Sequence, residues 1–242
     1  MEKKYIIAIV VCVLLIIIGI TLFFVLQEDS PKSTPTPTPT PTPTLEPKYA
    51  PPSDGLIAWY NVDSFEDNKL KDLSGNDNHT TDIKGDLLKS EDGSSLDGTI
   101  KTKIIFNEKI LPPTYTFIHV AKYNGPNKKR IFSSKPLNQL SGFWNGRAGV
   151  SHFDGWKTSY ASSEDLNNWL ISVDTNDFYR ANTVDKTNKK INHKGTQFTI
   201  NEGRQQESSD FSIGEILVYN RILSIEEIQE IENYLNEKFQ VY

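Results

Sequence analysis

Gly55-Leu56-Ile57-Ala58-Trp59-Tyr60-Asn61-Val62 is the stretch on which the fold turns. Its β-branched and aromatic residues suit a pleated, half-buried surface, and the turn formers Asp63 and Ser64 follow directly, so it is read as a strand. Similar runs recur at 103–106, 114–122, 130–134, 169–173, 197–200 and from Phe211 to Tyr219. Clusters of Gly, Asn, Asp and Ser separate them. Strands that follow one another without intervening helices predict an antiparallel sandwich or barrel.

One helix is expected, at the C-terminal end. Ser224-Ile225-Glu226-Glu227 is a capping box, and Ile225, Ile228, Ile231, Leu235 and Phe239 recur at helical spacing. That apolar face is expected to lie on the outside of the sandwich, with Glu226, Glu230, Glu237 and Lys238 left to solvent.

Upstream of residue 53 the chain changes character. Residues 5–26 carry no charge and are rich in Ile, Val, Leu and Phe. As a helix they span about 33 Å, which matches a hydrocarbon core of roughly 30 Å. A cleaved secretory signal is the alternative, but its apolar region is about 7–15 residues long and ends in small residues, unlike Leu22-Phe23-Phe24-Val25-Leu26. We therefore expect an uncleaved transmembrane helix that contacts the lipid bilayer. Lys3 and Lys4 precede it and Glu28 and Asp29 follow, which places residues 1–4 in the cytoplasm and the C-terminal part outside, on a cell or virion exterior. Residues 27–52 form a stalk in which Thr34–Thr44 alternates Thr and Pro, a pattern for extended polyproline II. Its threonines are O-glycan acceptors if the host performs that chemistry. The domain proper is expected at 53–242.

Charge and cysteine usage exclude several classes. A net charge of -5 and a pI near 5.5 argue against nucleic acid as a partner, and Lys128-Lys129-Arg130 is too short to supply a basic face. Cys12, the one cysteine, lies in the expected anchor, so the exported part has no disulfide.

Two segments at opposite ends of the domain carry a family resemblance. Gly55–Tyr60 followed by Asp72-Leu73-Ser74-Gly75-Asn76-Asp77-Asn78-His79 resembles the opening strand and hairpin of concanavalin A-like lectin/glucanase domains of the laminin-G-like kind. Phe211–Ser224, with its Tyr219-Asn220-Arg221 turn and the capped helix through Phe239, resembles the same family's closing strand, turn and last helix. The resemblance implies an all-β jelly-roll sandwich of two antiparallel sheets with a C-terminal helix, preceded here by one transmembrane helix. It also implies that the two segments lie close together. Asp72, Ser74 and Asn76 then read most simply as turn formers, with Gly75 supplying positive φ.

The chemistry readable from the residues is that of binding. The Glu-x-Asp-x-Glu triplet of the related glucanases is absent, so no catalytic residues are assigned and enzyme activity is not expected. The histidines, His79, His119, His152 and His193, are scattered, and His119 is read as a core or sheet-face residue. Asp72, Ser74 and Asn76, with Asn78, offer oxygens at every second position and form a candidate calcium site, the one cofactor considered.

The candidate ligand contacts are Trp144, Asn145, Arg147, Asp154, Trp156 and Tyr160, within and just beyond the Gly-rich stretch 142–156. Glycines permit irregular loops there, aromatic faces stack on sugar rings, and Asn, Asp and Arg bind hydroxyls. The opposing reading puts Trp144, Phe153 and Trp156 between the sheets, as we expect for Trp59 and Trp169. Asn78-His79-Thr80 is a glycosylation sequon that says nothing of function. The leading expectation is a surface-displayed, non-catalytic module for carbohydrate or glycosylated surfaces. The rival is a structural or attachment protein of a virion, envelope or cell surface acting through protein contacts, and a hydrolase with an atypical site stands third.

Overall fold

Apolar runs pair across the whole length of the domain. The computed structural model describes residues 49–161, 163–191 and 195–242. The expected cytoplasmic residues 1–4, the anchor at 5–26, the stalk up to residue 48 and His193 lie outside the described residues. Among the described residues no helix is long and apolar enough to cross a membrane. The strands in chain order are β1 (Leu56–Asn61), β2 (Phe65–Glu66), β3 (Lys69–Leu70), β4 (Asp82–Lys84), β5 (Leu87–Lys89), β6 (Leu96–Gly98), β7 (Lys103–Ile105) and β8 (Thr116–Tyr123). They continue with β9 (Phe132–Ser133), β10 (Gln139–Phe143), β11 (Ala148–Phe153), β12 (Leu170–Thr175), β13 (Tyr179–Ala181), β14 (Val184–Asp185), β15 (Thr199–Ile200) and β16 (Phe211–Tyr219). The helix α1 (Ile225–Phe239) follows.

Two antiparallel sheets result. The first runs β14-β13-β12-β8-β16, and the far edge of β16 is shared. Its Glu215–Tyr219 half pairs with β1 and its Phe211–Ile213 half with β6, which is followed by β5. The second sheet runs β11-β10-β9-β15-β7-β4, and β2 and β3 form a separate small hairpin. Pairing of Leu56 with Tyr219 through Asn61 with Glu215 places the two end segments side by side, as expected.

Alternation along β8 sorts its side chains between two cores. Phe117, Ala121 and Tyr123 enter the core between the sheets, whereas Ile118 and Val120 face outward to α1. His119 belongs inside: its ring centroid is 4.0 Å from that of Phe132, its Nε2 lies 3.1 Å from Ser141 Oγ, and burial pushes its imidazole down to about 3. The first sheet is thus covered on both faces, which is why its central strands are buried at nearly every position.

The second, outer core corrects the expected place of two tryptophans. Trp59 and Trp169 pack with Leu217, Ile231, Leu235 and Phe239 under the helix, not between the sheets. Ala58 and Tyr60 point inward, so alternation turns Trp59 outward, where its Nε1 donates to Glu215 Oε1 at 2.7 Å. Glu215 also accepts from Tyr234 Oη at 3.1 Å and from Lys238 Nζ at 2.7 Å, so the Lys238 ammonium turns back to the sheet while the residue stays exposed, as expected. The capping box forms as expected: the Ser224 hydroxyl accepts the Glu227 N–H at 3.2 Å, and Glu227 Oε2 accepts the Ser224 N–H at 2.8 Å. Arg221 donates two bonds to the same carboxylate and holds it at about 2, a structural role for the Tyr219-Asn220-Arg221 turn. Ile225, expected on the buried face, is 42% exposed because the packed face begins at Ile228.

Candidate functional site

The Gly-rich stretch is a hairpin, not an irregular loop. β10 and β11 pair from Gln139 with Phe153 to Phe143 with Ala148. At its tip the Trp144 N–H donates to Arg147 O at 3.1 Å and the Arg147 N–H to Trp144 O at 2.9 Å. Asn145 and Gly146 between them have φ of 47° and 71°, the left-handed pair of a type I′ connection, which favours Asn-Gly. Gly142 (φ 85°) leaves room for the core: a Cβ there would stand 2.6 Å from His119 Cε1.

After β11 the chain doubles back through Asp154-Gly155, so that Trp156 bridges to His152. The rings then gather. Trp156 lies 5.0 Å from Trp144 at 65°, 5.1 Å from His152 at 84° and 6.2 Å from Tyr160 at 48°. Trp144, His152 and Trp156 are half-buried and Tyr160 is 60% exposed. All four stand outside both hydrophobic cores. Ser151 points inward, donating to the buried Asp174 at 2.7 Å, so its neighbour His152 faces out. The aromatic cluster therefore sits on the outer face of the second sheet, whereas α1 covers the outer face of the first. Edge-to-face packing fixes the rings while part of each stays wet.

Of the six candidate contacts, Trp144, Trp156 and Tyr160 come together, with Asn145 and Arg147 on the adjoining tip. Asn145 is exposed and accepts from Lys129 Nζ at 2.9 Å, and Arg147 donates to Ala161 O at 3.4 Å. Asp154, exposed on the second turn, lines a neighbouring cavity of about 560 Å³ together with Glu108, Pro136, Leu137 and Lys190. His152 is a member of the cluster that the sequence reading passed over. Its Nδ1 lies 3.0 Å from Asn138 O, and burial lowers its imidazole pKa against the pull of that carbonyl. The turn at Asp154-Gly155 brings it to Trp156.

The Asp72 segment is a fastener. The Asp72 carboxylate accepts the N–H groups of Trp59 and Ser74 at 2.9 Å each, the Ser74 hydroxyl at 2.8 Å and the Asn78 N–H at 3.0 Å. Asn76 Nδ2 donates to Leu56 O at 2.9 Å and Asn78 Nδ2 to Ile57 O at 2.7 Å, tying the loop to β1. Of the candidate calcium ligands, the Asp72 carboxylate, the Ser74 hydroxyl and the Asn76 Nδ2 are thus engaged with the chain itself. Among the described residues no group of three or more His, Cys, Asp or Glu converges. Chelation is expected to leave the melting temperature unchanged, whereas Asp72→Ala strands several donors and costs roughly 1–3 kcal/mol or more. Calorimetry with and without EDTA checks both, and a melting point that falls on chelation contradicts the fastener reading.

Fold and site together define a β-sandwich of jelly-roll type that carries a partly exposed aromatic cluster on one outer face. No family model matches the sequence, and no curated protein matches it. Solved structures do share the fold. Domain 4 of AbnA, a GH43 extracellular arabinanase from Geobacillus stearothermophilus solved with arabinotriose, is similar with a TM-score of 0.56 at 18% identity, over 73% of this chain and 98% of that one. A mutant of Trypanosoma rangeli sialidase displaying trans-sialidase activity gives 0.59 at 12% identity, over 78% of this chain and 34% of that one. The binding domain of Paraclostridial Mosquitocidal Protein 1 gives 0.54 at 15% identity, over 76% and 53%. At such identities the likeness shows the fold alone.

Proposed function

We propose that this chain is a membrane-anchored, surface-displayed binding module for carbohydrate or glycosylated surfaces, of the concanavalin A-like kind and without catalytic activity of its own. The observation that carries the reading is the cluster of Trp144, Trp156 and Tyr160, held in place by the hairpin yet outside both cores. Large aromatic rings cost solvation when exposed, and a sugar's apolar face is a natural partner for them. Asn145 and Arg147 beside them supply hydroxyl partners. The arabinanase domain, solved with arabinotriose, shares the ligand class proposed here.

The missing Glu-x-Asp-x-Glu triplet supports a non-catalytic role. So does the commitment of the buried carboxylates Asp174, Glu215 and Glu232 to Lys157, Lys238 and Arg180. The uncharged stretch at 5–26 and the Thr-Pro stalk support display outside a membrane. A glycan array probed with the full-length chain is expected to return a defined set of neutral oligosaccharides. A silent array, with one stoichiometric protein recovered by affinity capture from the native membrane, would replace this reading with an attachment protein.

A further inference from the structure

A row of adjoining depressions starts at the turn below the aromatic cluster. The cavity beside Asp154 shares Glu108 and Pro136 with one of about 340 Å³, and that one shares Lys135 with a third of about 490 Å³. The shared lining residues make the three depressions adjoining parts of one trough.

Its far end is rich in lysine. Lys84 on β4 and Lys103 on β7 are direct cross-strand partners, a like-charge pairing that is unfavourable by itself. Between them lies Glu202, whose side chain is 15% exposed. Lys135 Nζ is 3.0 Å from its Oε1, while Lys84 Nζ and Lys103 Nζ each stand 3.8 Å from its Oε2. At that distance neither is hydrogen-bonded to the carboxylate, so their donors remain for another acceptor. Asp82, 3.8 Å from Lys84, is the second acid of the group. Three ammonium groups against two carboxylates leave one positive charge in excess, on a chain whose net charge is -5. Burial alone would raise the Glu202 carboxyl, yet the three lysines hold it below its usual value. Lys103 and Lys135 line the 490 Å³ recess beside Gln206 and Ser208.

We propose that this lysine-lined end of the trough receives the anionic group of an acidic polysaccharide, a carboxylate or a sulfate ester. The saccharide carrier rests on the function proposed above, whereas the anion site rests on the lysines. Dextran, carboxymethyl dextran and dextran sulfate, offered to the detergent-solubilised full-length chain in surface plasmon resonance, separate the two, because they share a backbone and differ in charge. One or both charged polymers are expected to bind, plain dextran not to, and added salt to weaken the interaction. Lys84→Gln with Lys103→Gln leaves Glu202 paired with Lys135 and is expected to cut affinity tenfold or more at an unchanged melting temperature. Glu202→Gln removes a competing carboxylate and is expected to raise affinity several-fold, which a merely structural role for the lysines would not do. Failure of both charged polymers to bind, or wild-type affinity in the lysine double variant, overturns the proposal. Trp144→Ala and Trp156→Ala, tested in parallel on neutral glycans, keep the two readings apart: loss there with silent charged polymers removes the anion site alone, and the reverse pattern removes the aromatic site alone.

Discussion

Asp174→Ala is expected to destabilise the domain by about 3–5 kcal/mol, a large part of the 5–15 kcal/mol that holds a typical domain together. Lys157 Nζ lies 2.6 Å from Asp174 Oδ1, and each side chain is 2% exposed. Ser151 Oγ donates to the other carboxylate oxygen at 2.7 Å, Tyr115 Oη donates to Oδ1 at 3.3 Å, and Lys157 also reaches the carbonyl of Thr175. Removing the carboxylate strands a buried ammonium group together with two hydroxyls. A buried pair contributes little net stability over a hydrophobic replacement, because desolvating both ions offsets most of their attraction. Lys157→Met with Asp174→Leu is therefore expected to regain most of the loss, and urea melts of wild type, Asp174→Ala and the double variant measure it. If the double variant is as unstable as Asp174→Ala, the stranded charge is not the cause.

The pair also bears on function. Lys157 directly follows Trp156, and Ser151 directly precedes His152, so the buried ions fix the strand return that presents the aromatic cluster. No sequence pattern announced it. Lysine is ordinarily a surface residue, and its partner comes from another strand.

The parts of the fold that were legible in sequence are those with local signals. β1 and β16 are rich in β-branched and aromatic residues, and the Ser224–Glu227 box fixes the start of α1. β10 and β11 were hidden because Gly142 and Gly149, both at positive φ, interrupt them and because Gln139, Ser141 and Ser151 are polar yet buried. The direction of Trp59 and Trp169 was misread for a different reason. A sheet covered on both faces has no polar side, so hydrophobicity cannot say which way a side chain points. At the site, the aromatic residues were visible as a cluster in sequence, but the separation of Asp154 onto the neighbouring cavity depends on the turn at 154–155. The lysine group was invisible, since Lys84, Lys103, Lys135 and Glu202 come from four distant places in the chain.

Loss of ligand binding without loss of fold is the second large effect expected, from Trp144→Ala and Trp156→Ala. Truncating a buried aromatic such as Phe117, 1% exposed among Phe132 and Phe198, costs about 3–5 kcal/mol. The two tryptophans are half-buried on an outer face and pack against each other edge to face, a contact worth only about 0.5–1.5 kcal/mol beyond area. Their variants should melt within a few degrees of wild type. In a binding role, by contrast, tryptophans are typical anchors whose removal costs about 2 kcal/mol or more, roughly thirtyfold in affinity.

The most direct test of the central claim is titration calorimetry of the full-length chain and these two variants against the strongest neutral oligosaccharide found on the array, with a thermal melt of each sample. Our account predicts near-native melting with binding reduced thirtyfold or lost in both variants. Wild-type affinity in both, or strong destabilisation of both with binding retained in the folded fraction, would contradict it.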